Sequence, residues 1–247
     1  MRNIVCIIQA RMGSTRLPGK VMLILENKPV LLRVVDRVLE SKQINRVVVA
    51  TTTSPNDEAI VDLVKDYHPK VAVFRGSDED VLDRYYQAAK KYRAEIIVRI
   101  TSDCPLVDSE IIDKIINKFL EEETDYASNV FGKRTYPKGL DVEVFSFDAL
   151  QKTWQETKEK DNREHVTLYI RKNPGLFKCR NVESEADYSY HRWTLDEEDD
   201  FKLIKIVYQE LYHKNPKFKM KEIIELFNQN PDLIKINQHV EQKLANF

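Results

Sequence analysis

Cysteines are few in this chain of 247 residues, and no spacing pattern links them. Cys6, Cys104 and Cys179 lie far apart, and neither a CxxC pair nor a nearby histidine gives them the spacing of metal ligands. A disulfide framework or a zinc site is therefore not expected. Free thiols fit a reducing compartment, so we expect a cytoplasmic protein.

An excess of one charge and long apolar runs are missing as well. Lys and Arg total 39 against 40 Asp and Glu, which gives a formal net charge of −1. A chain without a basic excess is not expected to bind nucleic acid. No stretch approaches the roughly 18 apolar residues that a membrane-spanning helix needs, and the apolar run at residues 4–8 is too short for the core of a signal peptide. We expect no membrane association.

Glycine is scarce and unevenly distributed. The chain has six glycines, whereas average composition would give roughly 17. Two of them, Gly13 and Gly19, lie in one predicted loop. With 42% hydrophobic and 32% charged residues, the chain can bury a core beneath a charged surface. We therefore expect a folded, globular protein.

The sequence does contain an alternation of strand and helix patterns. Short β-branched apolar runs, typical of strands buried on both faces, alternate with segments whose apolar residues have helical spacing. Four such pairs predict an α/β protein with a three-layer α/β/α, doubly wound and mostly parallel sheet. The predicted strands are residues 3–9, 46–52, 71–74 and 95–100, and the predicted helices are residues 29–39, 54–65, 78–92 and 109–121.

The second half of the chain has a weaker pattern. It contains no repeat, no low-complexity linker and no clear boundary, so we expect residues 1–247 to form a single domain. Short strands are predicted at residues 142–147, 177–182 and 191–194, and helices at residues 148–157, 163–172, 198–213 and 220–229.

An open α/β sheet binds ligands beyond the carboxyl ends of its strands, which here are the loops after the first and fourth strands. The first loop, QARMGSTRLPGK at residues 9–20, has three cations, no anion and two glycines. Backbone N–H groups, hydroxyls and fixed positive charge on one loop suit a polyphosphate. The loop has neither GxGxxG nor GxxxxGK[ST] spacing. A solvated basic turn is the alternative interpretation.

Six motifs in a fixed order resemble a known family. They are QARMGSTRLPGK, FRGSDEDVLDRY, TSDCPLVD, PKGLDVEVFSFDAL, REHVT and RWTLDEEDDF, and they extend to about residue 210. Together they resemble the sugar cytidylyltransferases, which have the nucleotide-diphospho-sugar transferase (GT-A-like) fold, and in particular the branch of spore-coat polysaccharide biosynthesis. The resemblance implies that CMP is transferred from CTP to an acidic or related sugar, with Mg²⁺ as cofactor and pyrophosphate as the second product.

The same resemblance divides the chain by role. Residues 1–130 would be the nucleotide-binding half, and residues 131–247 would bind the sugar and carry the contact of a homodimer. The apolar and aromatic residues between positions 177 and 193 are candidates for that contact, and ordinary core packing is the alternative for them.

Two other interpretations remain open. A uridylyltransferase or guanylyltransferase acting on a sugar 1-phosphate would share the fold, but typically with a more glycine-rich GxGTRL opening. A glycosyltransferase-like or purely nucleotide-binding protein would bind nucleotide without turnover. Release of pyrophosphate in the presence of CTP, sugar and Mg²⁺ separates these cases.

The resemblance assigns nucleotide contacts to two segments. The first loop would contact the triphosphate, and the segment after the third strand would line the base and ribose pocket, with Arg84 one turn further on. Helix capping is the alternative role for the second segment. The residues concerned are Arg11, Met12, Gly13, Ser14, Arg16 and Lys20 in the first loop, and Arg75, Gly76 and Ser77 in the second segment. Arg11, Arg16, Lys20 and Asp103 would act in catalysis.

Two aspartates are the magnesium ligands that the resemblance implies. Asp103 follows the fourth strand in a DxP setting, and Asp196 follows a short predicted strand. Helix capping is the alternative for Asp103, although Asp108 lies closer to the next helix. For Asp196 the alternative is an acidic helix start, because residues 196–200 read DEEDD and a helix N-terminus favours negative charge. Glu198 stands where the family has a proline.

Two further carboxylates are candidates for the acceptor sugar. Asp141 and Glu143, two residues apart on a predicted strand, would point to the same face and bind sugar hydroxyls or take a proton from one. A solvent-facing pair on an edge strand is the alternative. We expect His165, within the REHVT motif, to be structural.

Overall fold

The computed structural model describes residues 2–241, which are built on a sheet of seven strands with a separate two-stranded hairpin. The strands are β1 (Ile4–Gln9), β2 (Ile24–Leu25), β3 (Lys28–Pro29), β4 (Arg46–Thr52), β5 (Val71–Gly76), β6 (Ile96–Thr101), β7 (Tyr126–Ser128), β8 (Glu143–Ser146) and β9 (Cys179–Asn181). The helices are α1 (Val30–Leu39), α2 (Glu58–Val64), α3 (Val81–Lys91), α4 (Ser109–Glu121), α5 (Phe147–Glu156), α6 (Lys160–Glu164), α7 (Leu168–Lys172), α8 (Glu198–Leu211) and α9 (Met220–Gln229). Segments of 3₁₀ helix cover Lys20–Met22, Pro55–Asp57 and Pro231–Ile236.

Four parallel strands form one half of the sheet, as the sequence predicts. The strand order is β5-β4-β1-β6-β8-β7-β9. β1 pairs in parallel with β4 and β6, and β5 pairs in parallel with β4. Parallel strands in such sheets are covered on both faces, which explains their continuous apolar runs. The carboxyl ends of these four strands therefore lie along one edge of the sheet.

Helices cover both faces of the sheet. Cys6 and Ile8 of β1 belong to a core cluster with α1, α4, α8 and α9, whereas Val5 and Ile7 belong to a cluster with α3, α5 and α7. Alternate side chains of a strand point to opposite faces, so two cores lie on either side of β1. The predicted three-layer, doubly wound, mostly parallel α/β fold is confirmed.

Strands from the second half of the chain complete the same sheet. β8 pairs in antiparallel fashion with β6 and β7, and β9 pairs in parallel with β7. Helices α8 and α9 pack with α4 on one face. Within residues 2–241, no helix is both long and apolar enough to cross a membrane.

The sequence prediction is less accurate in this second half. The helix predicted at residues 163–172 is the two short helices α6 and α7, which are separated at His165. The strand predicted at residues 191–194 is only a single bridge between Lys138 and Arg192. The sequence does not indicate β7 or the β2–β3 hairpin, because two or three residues are too few to show a period.

The bridge at Lys138 depends on the glycine that follows it. Lys138 N donates to His191 O at 3.0 Å, and Trp193 N donates to Lys138 O at 2.7 Å. Gly139 has a φ of +101°, and a Cβ atom there would lie 2.5 Å from Thr194 N. Only glycine accommodates both this φ and this approach. The contact fixes the segment that leads into Asp196.

Replacing Gly139 with alanine should destabilise the protein, because the added Cβ collides with backbone atoms and the φ becomes unfavourable. We expect the free energy of unfolding, measured in urea, to fall by about 2–4 kcal/mol. Gly175→Ala is the matched control, since no atom lies within 4 Å of a Cβ built there. Equal stability of the two variants would contradict this account of the bridge.

Candidate active site

The loop after β1 is held by Asp57, which lies in the 3₁₀ segment after the neighbouring strand β4. Met12 N donates to Asp57 Oδ1 at 2.8 Å, and the hydroxyls of Thr51 and Thr52 donate to Oδ2 at 3.0 Å and 2.6 Å. Burial alone would raise the pKa of Asp57, but the hydrogen bonds from Thr52, Met12 and Thr51 outweigh it and lower the pKa. Asp57 therefore stays ionised and fixes the loop. No local signal in the sequence marks this role.

The predicted metal ligands Asp103 and Asp196 converge on one cation, the ammonium group of Lys20. Lys20 Nζ lies 2.7 Å from Asp103 Oδ2, 3.0 Å from Asp196 Oδ1 and 2.9 Å from the carbonyl oxygen of Leu195. Leu195 N in turn donates to Asp103 O at 2.8 Å. Burial alone would lower the pKa of Lys20, but Asp103 and Asp196 raise it. Three separate segments of the chain thus meet at a single charge.

Asp103 does not cap a helix. Its Oδ1 accepts from the Thr101 hydroxyl at 2.6 Å. Burial alone would raise the pKa of Asp103, but Lys20 and Thr101 hold it below its ordinary value. The cap of α4 is Asp108, which accepts from Glu110 N at 2.8 Å. The capping alternative for Asp103 is therefore wrong.

The acidic residues at positions 196–200 do not all have the same role. Glu197 is the N-cap of α8, and Asp200 Oδ2 accepts from the backbone N–H groups of Asp196 and Glu197. Asp196 directs its own carboxylate to Lys20, to Arg16 Nη2 at 2.9 Å and to Arg192 Nη2 at 3.0 Å. The helix-start interpretation thus applies to Glu197 and Asp200 rather than to Asp196.

The donor set at this position fits a magnesium ion. Mg²⁺ at nucleotide sites usually takes one or two protein carboxylates and fills its other positions with phosphate oxygens and water. Asp103 and Asp196 already place oxygens around one cation. Among residues 2–241, no group of three or more His, Cys, Asp or Glu side chains is arranged to hold a metal. The remaining ligands would have to come from the substrate and solvent.

The rest of the first loop is open on its outer side. Arg11 is about half exposed, and its Nη1 lies 4.0 Å from Asp78 Oδ1. No atom lies within 4 Å of a Cβ built on Gly13. The Ser14 hydroxyl accepts from Leu17 N at 3.5 Å. The loop therefore presents a guanidinium and free space at the carboxyl end of β1.

Arg75 and Gly76, predicted to follow the third strand, are the last residues of β5, and the contacts of Arg75 are structural. Arg75 Nε and Nη2 donate to the carbonyl oxygens of Thr52 and Ser54, both at 3.0 Å, and Nη1 pairs with Glu58 at 2.5 Å. These contacts hold the loop after β4. The Ser77 hydroxyl accepts from Asp80 N at 3.0 Å.

The N-cap of α3 is Asp80, not Ser77. Asp80 accepts from Asp83 N, and α3 begins at Val81 rather than at the predicted residue 78. Arg163 of the REHVT motif donates from Nε and Nη2 to the second oxygen of Asp80, at 2.9 Å and 2.5 Å. Burial lowers the pKa of the neighbouring His165, which ends α6. This motif therefore ties α6 to the start of α3.

The predicted sugar ligands lie at the start of an interior strand. β8 lies between β6 and β7, so the alternative of a solvent-facing pair on an edge strand is wrong. Asp141 precedes the strand and forms a two-pronged ion pair with Arg134, at 2.6 Å and 3.0 Å. Glu143 is 3% exposed and accepts from Arg99, from Tyr126 Oη at 2.7 Å and from Thr167 Oγ1 at 2.5 Å.

The environment of Glu143 fixes its charge. Burial alone would raise its pKa, but Arg99, Arg171 and the two hydroxyl donors lower the pKa to about 2. Arg99 also donates to Gln9 Oε1 at 3.2 Å. Glu143 therefore holds Arg99 beside Gln9 at the carboxyl end of β1, a role that its position in the sequence does not reveal.

Fold and site together define an α/β nucleotide-binding protein with a basic loop and a carboxylate-lined cation position at the carboxyl ends of its strands. A family profile described as Cytidylyltransferase matches residues 5–238. The chain therefore belongs to the cytidylyltransferase family, which confirms the resemblance of its six motifs, and is a CTP-dependent nucleotidyltransferase.

Three similar proteins support this assignment. The spore coat polysaccharide biosynthesis protein SpsF of Bacillus subtilis is 35% identical over 241 residues, 94% of this chain and 97% of SpsF. A 3-deoxy-manno-octulosonate cytidylyltransferase of Thermodesulfovibrio yellowstonii is 33% identical over 191 residues, 67% of this chain and 73% of that protein. The structure of a cytidylyltransferase from Leptospira borgpetersenii superposes with a TM-score of 0.90 at 34% identity, covering 99% of this chain and 100% of that one.

Replacing Glu143 with glutamine should remove a pH-dependent contribution to stability. A carboxyl whose pKa falls from 4.5 to about 2 on folding stabilises the protein above pH 4.5 and loses that contribution as the pH falls toward 2. We expect Glu143→Gln to lower the free energy of unfolding by about 3 kcal/mol at pH 7, and the difference from wild type to shrink between pH 4.5 and 2.

Unfolding in urea at a series of pH values measures this difference. Glu225→Gln is the control, because Glu225 is exposed and such surface changes have little effect. A pH-independent difference between wild type and Glu143→Gln would show that the ion pair with Arg99 is not the source of the stabilisation.

Proposed function

We propose that this nucleotidyltransferase transfers CMP from CTP to a hydroxyl group of an acidic or related sugar and releases pyrophosphate. The observation that carries the proposal is the convergence of Asp103, Asp196 and Lys20 beside the basic loop. A triphosphate would repel two bare carboxylates, so their presence in a phosphate site makes sense only with a cation between them. The names of two relatives, a spore coat polysaccharide biosynthesis protein and a 3-deoxy-manno-octulosonate cytidylyltransferase, favour a sugar acceptor.

The basic side chains would stabilise the negative charge that develops on the leaving pyrophosphate. Arg11, Arg16 and Lys20 lie on the loop at the end of β1, where the triphosphate would bind. Fixed cations and backbone donors stabilise the charge that accumulates on pyrophosphate in the transition state. Positioning and electrostatics supply most of the rate in such transfers.

The metal would be held by Asp103 and Asp196. A bound Mg²⁺ neutralises phosphate charge and aligns the triphosphate. In the structure, the ammonium group of Lys20 neutralises these two carboxylates. If a metal took over these two carboxylates, the ammonium group of Lys20 would be free to donate to a phosphate oxygen. Lys20 would thus pair with Asp103 and Asp196 before the metal binds and with the substrate phosphate afterwards.

The acceptor would bind at the start of β8. Asp141, with 38% of its side chain exposed, has accessible carboxylate surface and is the residue that we assign to a sugar hydroxyl. Glu143 is saturated by protein donors, so its contribution to the acceptor would be made through Arg99. The homodimer and the cytoplasmic location stay predictions; a particle of 29.0 kDa in light scattering would contradict the dimer.

A pyrophosphate-release screen tests the proposed function. The protein is incubated with Mg²⁺, a panel of acidic and neutral sugars and each of the four nucleoside triphosphates. Turnover with CTP and a free sugar supports the proposal. Turnover with UTP or GTP and a sugar 1-phosphate favours the other transferase class, and nucleotide binding without turnover with any acceptor favours a non-catalytic protein.

Substituting Lys20 should make the stability of the protein depend on the metal. Lys20→Met leaves Asp103 and Asp196 facing each other, so in EDTA its free energy of unfolding should fall by about 1–3 kcal/mol. Millimolar Mg²⁺ without nucleotide should then raise the melting temperature of Lys20→Met more than that of wild type. Lys118→Met, which breaks the exposed pair with Glu121, is the control. An equal Mg²⁺ response in wild type, Lys20→Met and Lys118→Met would contradict the proposal that Mg²⁺ and Lys20 occupy the same position between Asp103 and Asp196.

Neutralising the two aspartates should have non-additive effects on turnover. Asp103→Asn and Asp196→Asn each keep the side-chain shape and remove a metal ligand, so each should lower kcat on the order of 100-fold and weaken the Mg²⁺ dependence. The double variant should lose little more, because either change already breaks the same site. Asp199→Asn is the control from the same acidic run, since Asp199 pairs with the exposed Lys202. Multiplicative losses in the double variant would place the two carboxylates at separate sites.

A further inference from the structure

Two arginines of helix α1 are buried without a carboxylate partner. Arg33 is 4% exposed and Arg37 is 6% exposed, and they lie one helical turn apart. Within residues 2–241, neither guanidinium group forms an ion pair with an aspartate or a glutamate. Charged groups that are buried in proteins ordinarily have a partner of opposite charge. Two such cations side by side therefore favour an anion.

The hydrogen bonds that these arginines form with the described residues all go to backbone carbonyl oxygens. Arg33 Nε lies 3.0 Å from the carbonyl oxygen of Leu25, and Arg37 Nε lies 2.6 Å from that of Val107. The complete set of acceptors is Leu25 and Glu26 for Arg33, and Leu106, Val107 and Phe218 for Arg37. Because carbonyl groups carry no net charge, these bonds orient the guanidinium groups without neutralising them.

Each guanidinium group keeps one nitrogen, Nη1, that donates to none of the described residues. Neither of the two Nη1 atoms is enclosed, so both reach the accessible surface. Aromatic rings cover the guanidinium groups: Arg33 Cζ lies 4.2 Å from the ring centre of Tyr212, and Arg37 Cζ lies 4.5 Å from that of Phe218. The free donors are thus held in place by rings and carbonyl groups, which lowers the entropic cost of binding an acceptor.

Both arginines line one cavity between α1 and the end of α8. Its volume is about 370 Å³, which is within the range of small-molecule sites. Tyr208 and Tyr212 form part of its wall. Since the two Nη1 atoms are accessible and both side chains line this cavity, we infer that the free donors face it. Unlike a surface arginine, each of them is already largely desolvated.

The balance of charge around the cavity is positive. Asp36 and Glu40 also line it, but Asp36 pairs with Lys28 at 2.6 Å and Glu40 pairs with Lys219 at 2.7 Å. Lys217 adds a third cation to the wall, beside the two arginines. The cavity therefore has three cations and two carboxylates, and each carboxylate is already paired with a lysine.

This cavity is separate from the candidate active site. The described residues that line it include no residue of the first loop and neither of the two aspartates of the cation position. An anion bound in the cavity would therefore occupy a second site.

We propose that the cavity binds a phosphate group, either as inorganic phosphate or as part of a small phosphorylated metabolite. The inference does not depend on the proposed function. The planar donor groups of arginine match the oxygens of phosphate. A phosphate monoester has three acceptor oxygens and about two negative charges, so it can pair with both arginines and Lys217 together. A carboxylate, with two oxygens and one charge, would satisfy less of this wall.

Isothermal titration calorimetry in EDTA, without nucleotide, tests the proposal. Inorganic phosphate and glucose 6-phosphate are the probes, and glucose is the uncharged control. Lys217→Glu should weaken binding of the phosphates about ten-fold, because it replaces an attractive charge with a repulsive one. Its melting temperature should equal that of wild type, since Lys217 is exposed. Arg37→Lys should also weaken binding, because it loses the fork geometry, and should lower the melting temperature.

Two comparison variants locate the binding. Lys205→Glu makes the same charge reversal at an exposed position of α8 that is outside the cavity, so its phosphate affinity should equal that of wild type. Arg11→Met changes the first loop and should also retain that affinity. Tighter binding of glucose 6-phosphate than of inorganic phosphate would support a phosphorylated metabolite as the ligand, and equal binding would support phosphate itself.

Three results would overturn the proposal. The first is an equal phosphate affinity in wild type, Lys217→Glu and Arg37→Lys. The second is a loss of binding in Arg11→Met alone, which would place the phosphate in the candidate active site. The third is a wild type that binds neither probe at concentrations of tens of millimolar. None of these results bears on turnover of CTP, so the proposed function is judged separately by release of pyrophosphate.

Discussion

The ammonium group of Lys20 lies between two carboxylates, and the arrangement of the site depends on this contact. Asp103 comes from the loop after β6, Asp196 from the segment before α8, and Lys20 from the loop after β1. Two carboxylates so close together in a partly desolvated crevice need a cation between them. The ion pairs of Lys20 with Asp103 and Asp196 therefore join the parallel half of the sheet to the second half of the chain. This explains why the site contains residues that are far apart in sequence.

A second layer of buried charge supports Asp196. Arg192 pairs with both Asp196 and Asp200, and Asn237 donates to Asp200 Oδ1 at 2.8 Å and to Arg192 O at 2.9 Å. Asp200 is fully buried, so its charge requires these partners. The C-terminal segment, which follows the last family motif, thus packs behind the site and fixes one of its carboxylates.

The sequence is informative where its signals are local and less so where they are not. Continuous apolar runs and helical spacing predict β1, β4, β5 and β6 with their helices, because buried parallel strands have to be apolar throughout. The first loop and Asp103 follow from the ends of those strands. The place of Lys20 between Asp103 and Asp196, the anchoring role of Asp57 and the saturation of Glu143 depend on contacts between distant residues. Periodicity carries no information about such contacts.

The cationic side chains around the site are already paired with groups of the protein, but their partners differ. Arg75, Arg163 and Arg192 are bonded to backbone carbonyls or carboxylates, and each ties one element to another. Lys20 and Arg16 are both paired with Asp196, so under the proposed function a triphosphate would compete with that carboxylate for both cations. A metal held by Asp103 and Asp196 would remove that competition, and the triphosphate would offer it further oxygen ligands. Under the proposed function, each ligand would thus lower the electrostatic cost of binding the other, so we expect the binding of metal and nucleotide to be cooperative.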